Sequence, residues 1–158
     1  MSRKAWTIEA PVDKQYNIKE KYDDTSVCEN CNVVFTKGLY KWKKVIPENA
    51  IKIVCPACLR IKENFEGGYL LLEGIFFAEH KKEMINLVKK IEQIETEKNP
   101  LERIMEINDK GNRLSIRTTY GNLAKTIGNS IQRTYKGELK FNYQDEDKYI
   151  ILYWKRDF

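Results

Sequence analysis

The longest regular pattern in the chain starts at Phe76, where Phe77, His80, Met84, Leu87, Ile91 and Ile94 recur at spacings of three and four residues. That period predicts a helix over residues 76–98 with one apolar seam. Lys81, Lys82, Glu83, Lys89, Lys90, Glu92 and Glu95 fall on its outer faces, and Asn99-Pro100 ends it. The seam either covers a sheet of the same chain or pairs with a second copy, giving a homodimer through residues 77–94. His80, the single histidine, is expected as a packed or hydrogen-bonded core residue.

The period then changes. Residues 103–107 and 113–118 flank Asn108-Asp109-Lys110-Gly111-Asn112, a hairpin signal, with a short helix over 101–107 as the competing expectation. Leu123, Ile127, Ile131 and Tyr135 recur every four residues and predict a helix over 121–135, stopped at Gly137. A second hairpin joins 138–143 to 148–155 through the acidic turn Gln144-Asp145-Glu146-Asp147. Leu139, Phe141 and Tyr143 alternate there with Lys140 and Asn142, which predicts one buried face. Residues 100–158 therefore read as a ββαββ module, a four-stranded, largely antiparallel sheet with a helix on one face.

Upstream, residues 69–73 form a strand after a Gly67-Gly68 turn. Val33-Val34-Phe35 is a short apolar run, Lys37-Gly38 a turn, and residues 39–45 a strand with one basic and one partly aromatic face. Residues 1–26 are polar and read as an extended arm, whose Trp6, Tyr16 and Tyr22 either anchor it to the body or stack on bases.

Cys28-Glu29-Asn30-Cys31 and Cys55-Pro56-Ala57-Cys58 bring chemistry into this outline. Two CxxC pairs at this separation read as one structural Zn²⁺ site, because four thiolates close a tetrahedral shell. Asn32 follows the first pair and tolerates the left-handed backbone expected at such a knuckle. A dithiol redox centre would call for a βαβ context around one pair, which the pattern lacks. The expected class is thus α+β: a four-cysteine zinc ribbon over 27–75, a connecting helix over 76–98 and the module over 100–158.

Charge narrows the partner. The net charge is +5, with 12 Lys/Arg against 7 Asp/Glu in residues 1–62, 5 against 8 in 63–99 and 11 against 8 in 100–158. Basic ends suit a polyanion. Lys41, Trp42, Lys43 and Lys44 interleave rings with ammonium groups, as single-stranded nucleic acid favours, although a lysine-guarded edge strand has the same pattern. With Arg60 they make a first candidate RNA surface. Arg113, Arg117, Lys125 and Arg133 would make a second, phosphate-binding face if the fold brings them together. One histidine permits no Ser/His/Asp or Cys/His set, and neither a Walker nor a Rossmann motif is present, so no catalytic residues are expected.

The opening Met1-Ser2-Arg3-Lys4-Ala5-Trp6 carries no apolar core of signal-peptide length, and Glu73 and Gly74 interrupt the longest apolar run. Neither export nor a membrane span is expected. Paired metal-type cysteines fit a reducing cytoplasm.

Cys-x-x-Cys-x-Val-Val-Phe-x-Lys-Gly-x-Tyr-x-Trp from Cys28, Cys-Pro-Ala-Cys-x-Arg-Ile from Cys55 and Glu-Gly-Gly-Tyr-Leu-x-Leu-x-Gly-x-Phe from Glu66 resemble a small bacterial zinc-ribbon family. So do Ala-Glu-His-x-x-Glu-Met-Ile-Asn-Leu-Val from Ala78, Asn99-Pro100-Leu101-Glu102-Arg103-Ile104 and Tyr135-Lys136-Gly137-Glu138-Leu139. The ribbon region is similar, more weakly, to the archaeal and eukaryotic adaptor that binds the large ribosomal subunit during its maturation and export. That adaptor has more CxxC pairs and further domains. The resemblance implies a non-catalytic, ribosome-associated RNA-binding protein; a protein-interaction adaptor acting through the ribbon and the seam is the alternative.

Overall fold

The computed structural model describes residues 25–144, 146 and 148–158. Trp6, Tyr16, Tyr22, Asp145 and Asp147, with nearly all of the expected arm, lie outside them. The described residues are α+β, with three helices and two mixed sheets divided between two units.

The first unit holds the described residues to Phe65 together with Asn99–Leu101. Its strands are β1 (Ser26–Cys28), β2 (Val34–Thr36), β3 (Leu39–Lys41) and β4 (Ile51–Ile53), in the order β3-β2-β1-β4. Only β1 and β4 run parallel. Lys37 (φ 53°) and Gly38 (φ 80°) are the two residues between β2 and β3, and both left-handed values suit the tight two-residue hairpin turn that the sequence predicts. The strand expected over 39–45 stops at Lys41, leaving Trp42, Lys43, Lys44 and Val45 in an exposed loop.

Helix α1 (Pro56–Lys62) begins with Cys55 as N-cap and a proline in its first turn, where no amide hydrogen is needed. It ends where Asn64 turns left-handed (φ 55°), the Phe65 amide donates to the Arg60 carbonyl at 2.9 Å and the Asn64 amide to the Ile61 carbonyl at 3.2 Å. That pair of bonds satisfies two of the helix's last carbonyls.

The second unit holds Glu66–Lys98 and Glu102–Phe158. In chain order it comprises β5 (Gly68–Glu73), α2 (Ile75–Lys98), β6 (Ile104–Asp109), β7 (Arg113–Thr118), α3 (Gly121–Tyr135), β8 (Glu138–Gln144) and β9 (Tyr149–Lys155). The two predicted hairpins and the helix between them are present, and residues 104–109 take the strand rather than the helix alternative. The sheet order, however, is β6-β7-β5-β9-β8. The expected four-stranded sheet is therefore five-stranded, and β5, assigned by sequence to the cysteine segment, is its central strand, parallel to β9. The reason is burial: Leu70 and Leu72 are fully inaccessible, a cost in exposed apolar surface that an edge would not remove.

Alternation along the strands sorts the sheet into two faces. Leu70, Leu72, Leu114, Ile116, Ile150, Leu152 and Trp154 point toward the helices and meet Leu123, Ala124, Ile127 and Ile131 of α3 and Phe77, Met84, Val88 and Ile91 of α2. The predicted seam of α2 is buried at Phe77, Met84 and Ile91, but Val88 is buried in place of the half-buried Leu87, and Ile94 is 44% exposed. Helical geometry breaks at His80 (φ −117°, ψ 19°) without turning the seam away from the core. His80 is half-buried, stacked on Phe76 at 3.9 Å, with Nδ1 2.9 Å from the Phe76 carbonyl, in keeping with a packed, hydrogen-bonded residue. Phe77, Met84, Val88 and Ile91 thus cover the sheet of their own chain.

Candidate metal centre

The four cysteines come from two local devices. Cys28 closes β1, and the turn that follows is held by the Cys28 amide donating to the Val33 carbonyl at 2.8 Å and the Asn32 amide to the Cys28 carbonyl at 2.9 Å. Asn32 takes φ 70°, as its position after the CxxC predicts. Cys55 and Cys58 occupy the N-cap and first turn of α1. The parallel pairing of β1 with β4 brings the two devices together, with Cys28 opposite Ile53.

All four Sγ atoms lie within 4.8 Å of one another and can hold a metal ion. Cys28 Sγ is 3.7 Å from Cys58 Sγ and Cys31 Sγ is 3.8 Å from Cys55 Sγ, so these are free cysteines and not disulfides, whose sulfurs lie about 2.05 Å apart. Backbone amides point at the sulfurs: Asn30 and Cys55 donate to Cys28 Sγ at 3.4 and 3.3 Å, and Cys58 donates to Cys55 Sγ at 3.4 Å. Val33, Ala57, Cys28 and Cys55 are fully buried, with Tyr40 and Leu101 packed against them. A cluster this small is too little core for a unit of about forty described residues, and domains of that size ordinarily need a metal or disulfides.

The sequence-derived RNA residues separate into three groups. Lys41, Trp42, Lys43 and Lys44 are all exposed, in one continuous stretch beside β3. Arg60 is not on that surface: it is buried to 6% exposure, with its guanidinium 5.2 Å from the Phe65 ring centroid. Arginine after a CxxC reads as a contact residue in sequence, but its position on α1 turns it inward.

Arg113, Arg117, Lys125 and Arg133 do not converge. Arg113 and Arg117 lie on the sheet face away from α3, each held by carboxylates. Arg113 Nη2 is 2.8 Å from Glu73, while Arg117 bonds Glu106 and Glu66, both at 2.9 Å. Tyr153 donates to Glu73, and Tyr149 donates to Glu66 at 2.6 Å. Donation from Tyr153, then the Arg113 guanidinium, holds the Glu73 carboxyl below its ordinary range, and the same bond raises the Tyr153 hydroxyl. These arginines serve a paired network across the strands. Lys125 and Arg133 stand on α3, on the opposite side of the sheet.

Two residues were misread from the pattern. Phe141 and Tyr143 alternate as a buried face should, yet they are 46% and 47% exposed, because β8 is an edge strand that α3 covers only at Leu139. Nothing local in the sequence marks a strand as an edge.

Comparison of the chain with protein-family models, with curated proteins and with solved structures found no match. Among the described residues no helix is long and apolar enough to cross a membrane.

Proposed function

We propose that this is a structural-zinc, RNA-binding protein that docks on a ribosomal particle without catalysing a reaction. Cys28, Cys31, Cys55 and Cys58 are the ligands. Tetrahedral Zn²⁺ with Zn–S near 2.3 Å requires sulfurs about 3.8 Å apart, and the Cys28–Cys58 and Cys31–Cys55 pairs, at 3.7 and 3.8 Å, fit that edge. Zn²⁺ in such a shell ties the knuckles together and has no open position for substrate.

The observation that carries the RNA reading is the exposed run Lys41-Trp42-Lys43-Lys44 on the cysteine unit. Between the two cysteine pairs stand Lys37, Lys41, Lys43, Lys44 and Lys52 against Glu48 alone. An excess of ammonium groups beside a half-exposed indole suits phosphates and a stacked base. Leu39, Val45, Ile46 and Ile51 are exposed in the same region, Val45 to 81%. Aliphatic side chains contribute little to RNA, so they favour a target surface that also presents protein; this supports the adaptor reading as second choice and suits a ribonucleoprotein particle.

The test is sedimentation of tagged protein from lysate through sucrose gradients at low and high salt, with zinc measured in each fraction. Co-migration with a ribosomal subunit that is lost at high salt is expected, since counterion release makes phosphate contacts salt-sensitive. Lys43→Glu with Lys44→Glu should abolish co-migration while leaving one zinc per chain. Zinc-loaded protein remaining at the top at both salts would end the ribosomal reading, and salt-insensitive co-migration with a protein partner would favour the adaptor.

A further inference from the structure

Phe141 and Tyr143 are two half-exposed rings on the same face of an edge strand, with a lysine beside one of them. Register places them opposite Leu152 and Ile150, both buried on the helix side, so the rings border the flank of α3. Lys125 Nζ lies 5.7 Å from the Tyr143 ring centroid, and Gly128, one turn on, faces Leu139 and Leu152. Helical spacing continues that flank through Asn129, Gln132 and Arg133 to Lys136 just past the helix end. Residues 121–135 contain no aspartate or glutamate. Arg133 makes a 3.3 Å bond to Ser130 Oγ on its own helix and is otherwise exposed.

We propose that the α3–β8 flank is a second single-strand RNA platform, with Phe141 and Tyr143 stacking on bases and Lys125, Arg133 and Lys136 meeting phosphates; this rests on the RNA-binding reading above. Residues i and i+2 of a strand lie about 6.8 Å apart, roughly twice the 3.4 Å rise of a base-stacked strand. The two rings are therefore spaced for successive bases that have been drawn apart. Glu138, Lys140 and Asn142 alternate to the other face and stay clear of the platform. Glu146, between β8 and β9 at φ 56°, repels phosphate beyond Tyr143, so the RNA backbone runs from Tyr143 toward Lys136. This differs from the Lys41–Lys44 surface in its chemistry: two rings rather than one stack on bases.

The test uses the zinc-loaded full chain and a fluorescein-labelled 12-nucleotide oligouridine in anisotropy titrations. Phe141→Ala with Tyr143→Ala should weaken binding at least about thirtyfold, the low end for losing two stacked bases. Phe141→Tyr should restore it, and Phe141→Leu with Tyr143→Leu should not. Ultraviolet cross-linking followed by mass spectrometry should place uridine on Tyr143 or Phe141. Binding within twofold of wild type for the double alanine variant, while Lys43→Glu with Lys44→Glu abolishes it, would overturn the platform and leave the RNA reading standing. Full binding by the double leucine variant would also overturn it, by showing an apolar, protein-type contact. Failure of the wild-type chain to bind the oligonucleotide at low salt would remove both.

Discussion

Gly74 turns the chain between β5 and α2 at φ +118°, and a Cβ built there would sit 2.0 Å from the Arg156 carbonyl oxygen. Alanine must therefore both strain the backbone and push away the strand end whose Asp157 carboxylate accepts the Ile75 amide at the start of α2. Gly74→Ala is expected to lower stability by about 2 kcal/mol or more, read as a shift in urea midpoint. The carboxylate network makes a pH prediction. Glu73 and Asp109 are held below their ordinary pKa values, Glu73 first by Tyr153 and Asp109 first by the Gly111 amide. Depressed carboxylates bind fewer protons folded than unfolded, so their stabilising effect is complete above the unfolded value near 4 and is lost as pH falls through the folded value. Denaturation midpoints measured from pH 7 to pH 2 should fall on the acid side, and Glu73→Gln should flatten that fall. Left-handed Asn32 and the Lys37-Gly38 turn were legible because few residue types tolerate such backbone. Arg60 was not: its inward turn depends on where α1 lies, which no neighbour in sequence reveals.

Among the elements, α2 shows how far a heptad-like pattern can be trusted. Its existence and end were plain from periodicity and Asn99-Pro100, and Phe77, Met84 and Ile91 of its seam are buried as the pattern predicts, whereas Val88 rather than Leu87 completes the buried set and Ile94 is exposed. Met84→Ala should cost about 2–5 kcal/mol, whereas Ile94→Ala, at an exposed position, should stay within about 0.5 kcal/mol in the same denaturation assay. Equal losses at both sites would contradict this seam. Helix α3 was legible to its end residues, for Leu123, Ile127 and Ile131 repeat cleanly and Gly137 takes φ 88° just beyond. Its start carries no side-chain cap of its own; Glu102 instead accepts the Leu123 amide at 3.0 Å, a contact that spans the first hairpin and has no local signature.

Taken whole, the molecule joins a cysteine-pinned unit of small core to a second unit with a large one. Treating the protein with a strong chelator, or replacing Cys55 by serine, should release one Zn²⁺ per chain and collapse the amide signals of residues 25–65 in a nitrogen-correlated NMR spectrum. Signals of the buried Leu70, Ile116 and Leu152 should remain dispersed. Structural zinc contributes about 10–16 kcal/mol in comparable small domains, more than the cysteine unit's core can replace. The metal-binding cluster was the most legible feature because its chemistry is written in four cysteines at fixed spacing. The sheet was least legible where it matters most, since the β5–β9 pairing joins segments separated by two helices, one hairpin and β8, and periodicity carries no record of such partners.

That pairing bears on how the protein is made. During translation the cysteine unit emerges first and can take its metal while the rest is still being synthesised. Strand β5 follows early, yet its neighbours β7 and β9 appear only much later, so Leu70 and Leu72 must wait in a nascent chain with an unpaired edge on both sides. Such non-local closure is slow. Strand β5 can pair with β7 once the first hairpin has been made, but the five-stranded sheet is complete only after β9 has joined its other edge.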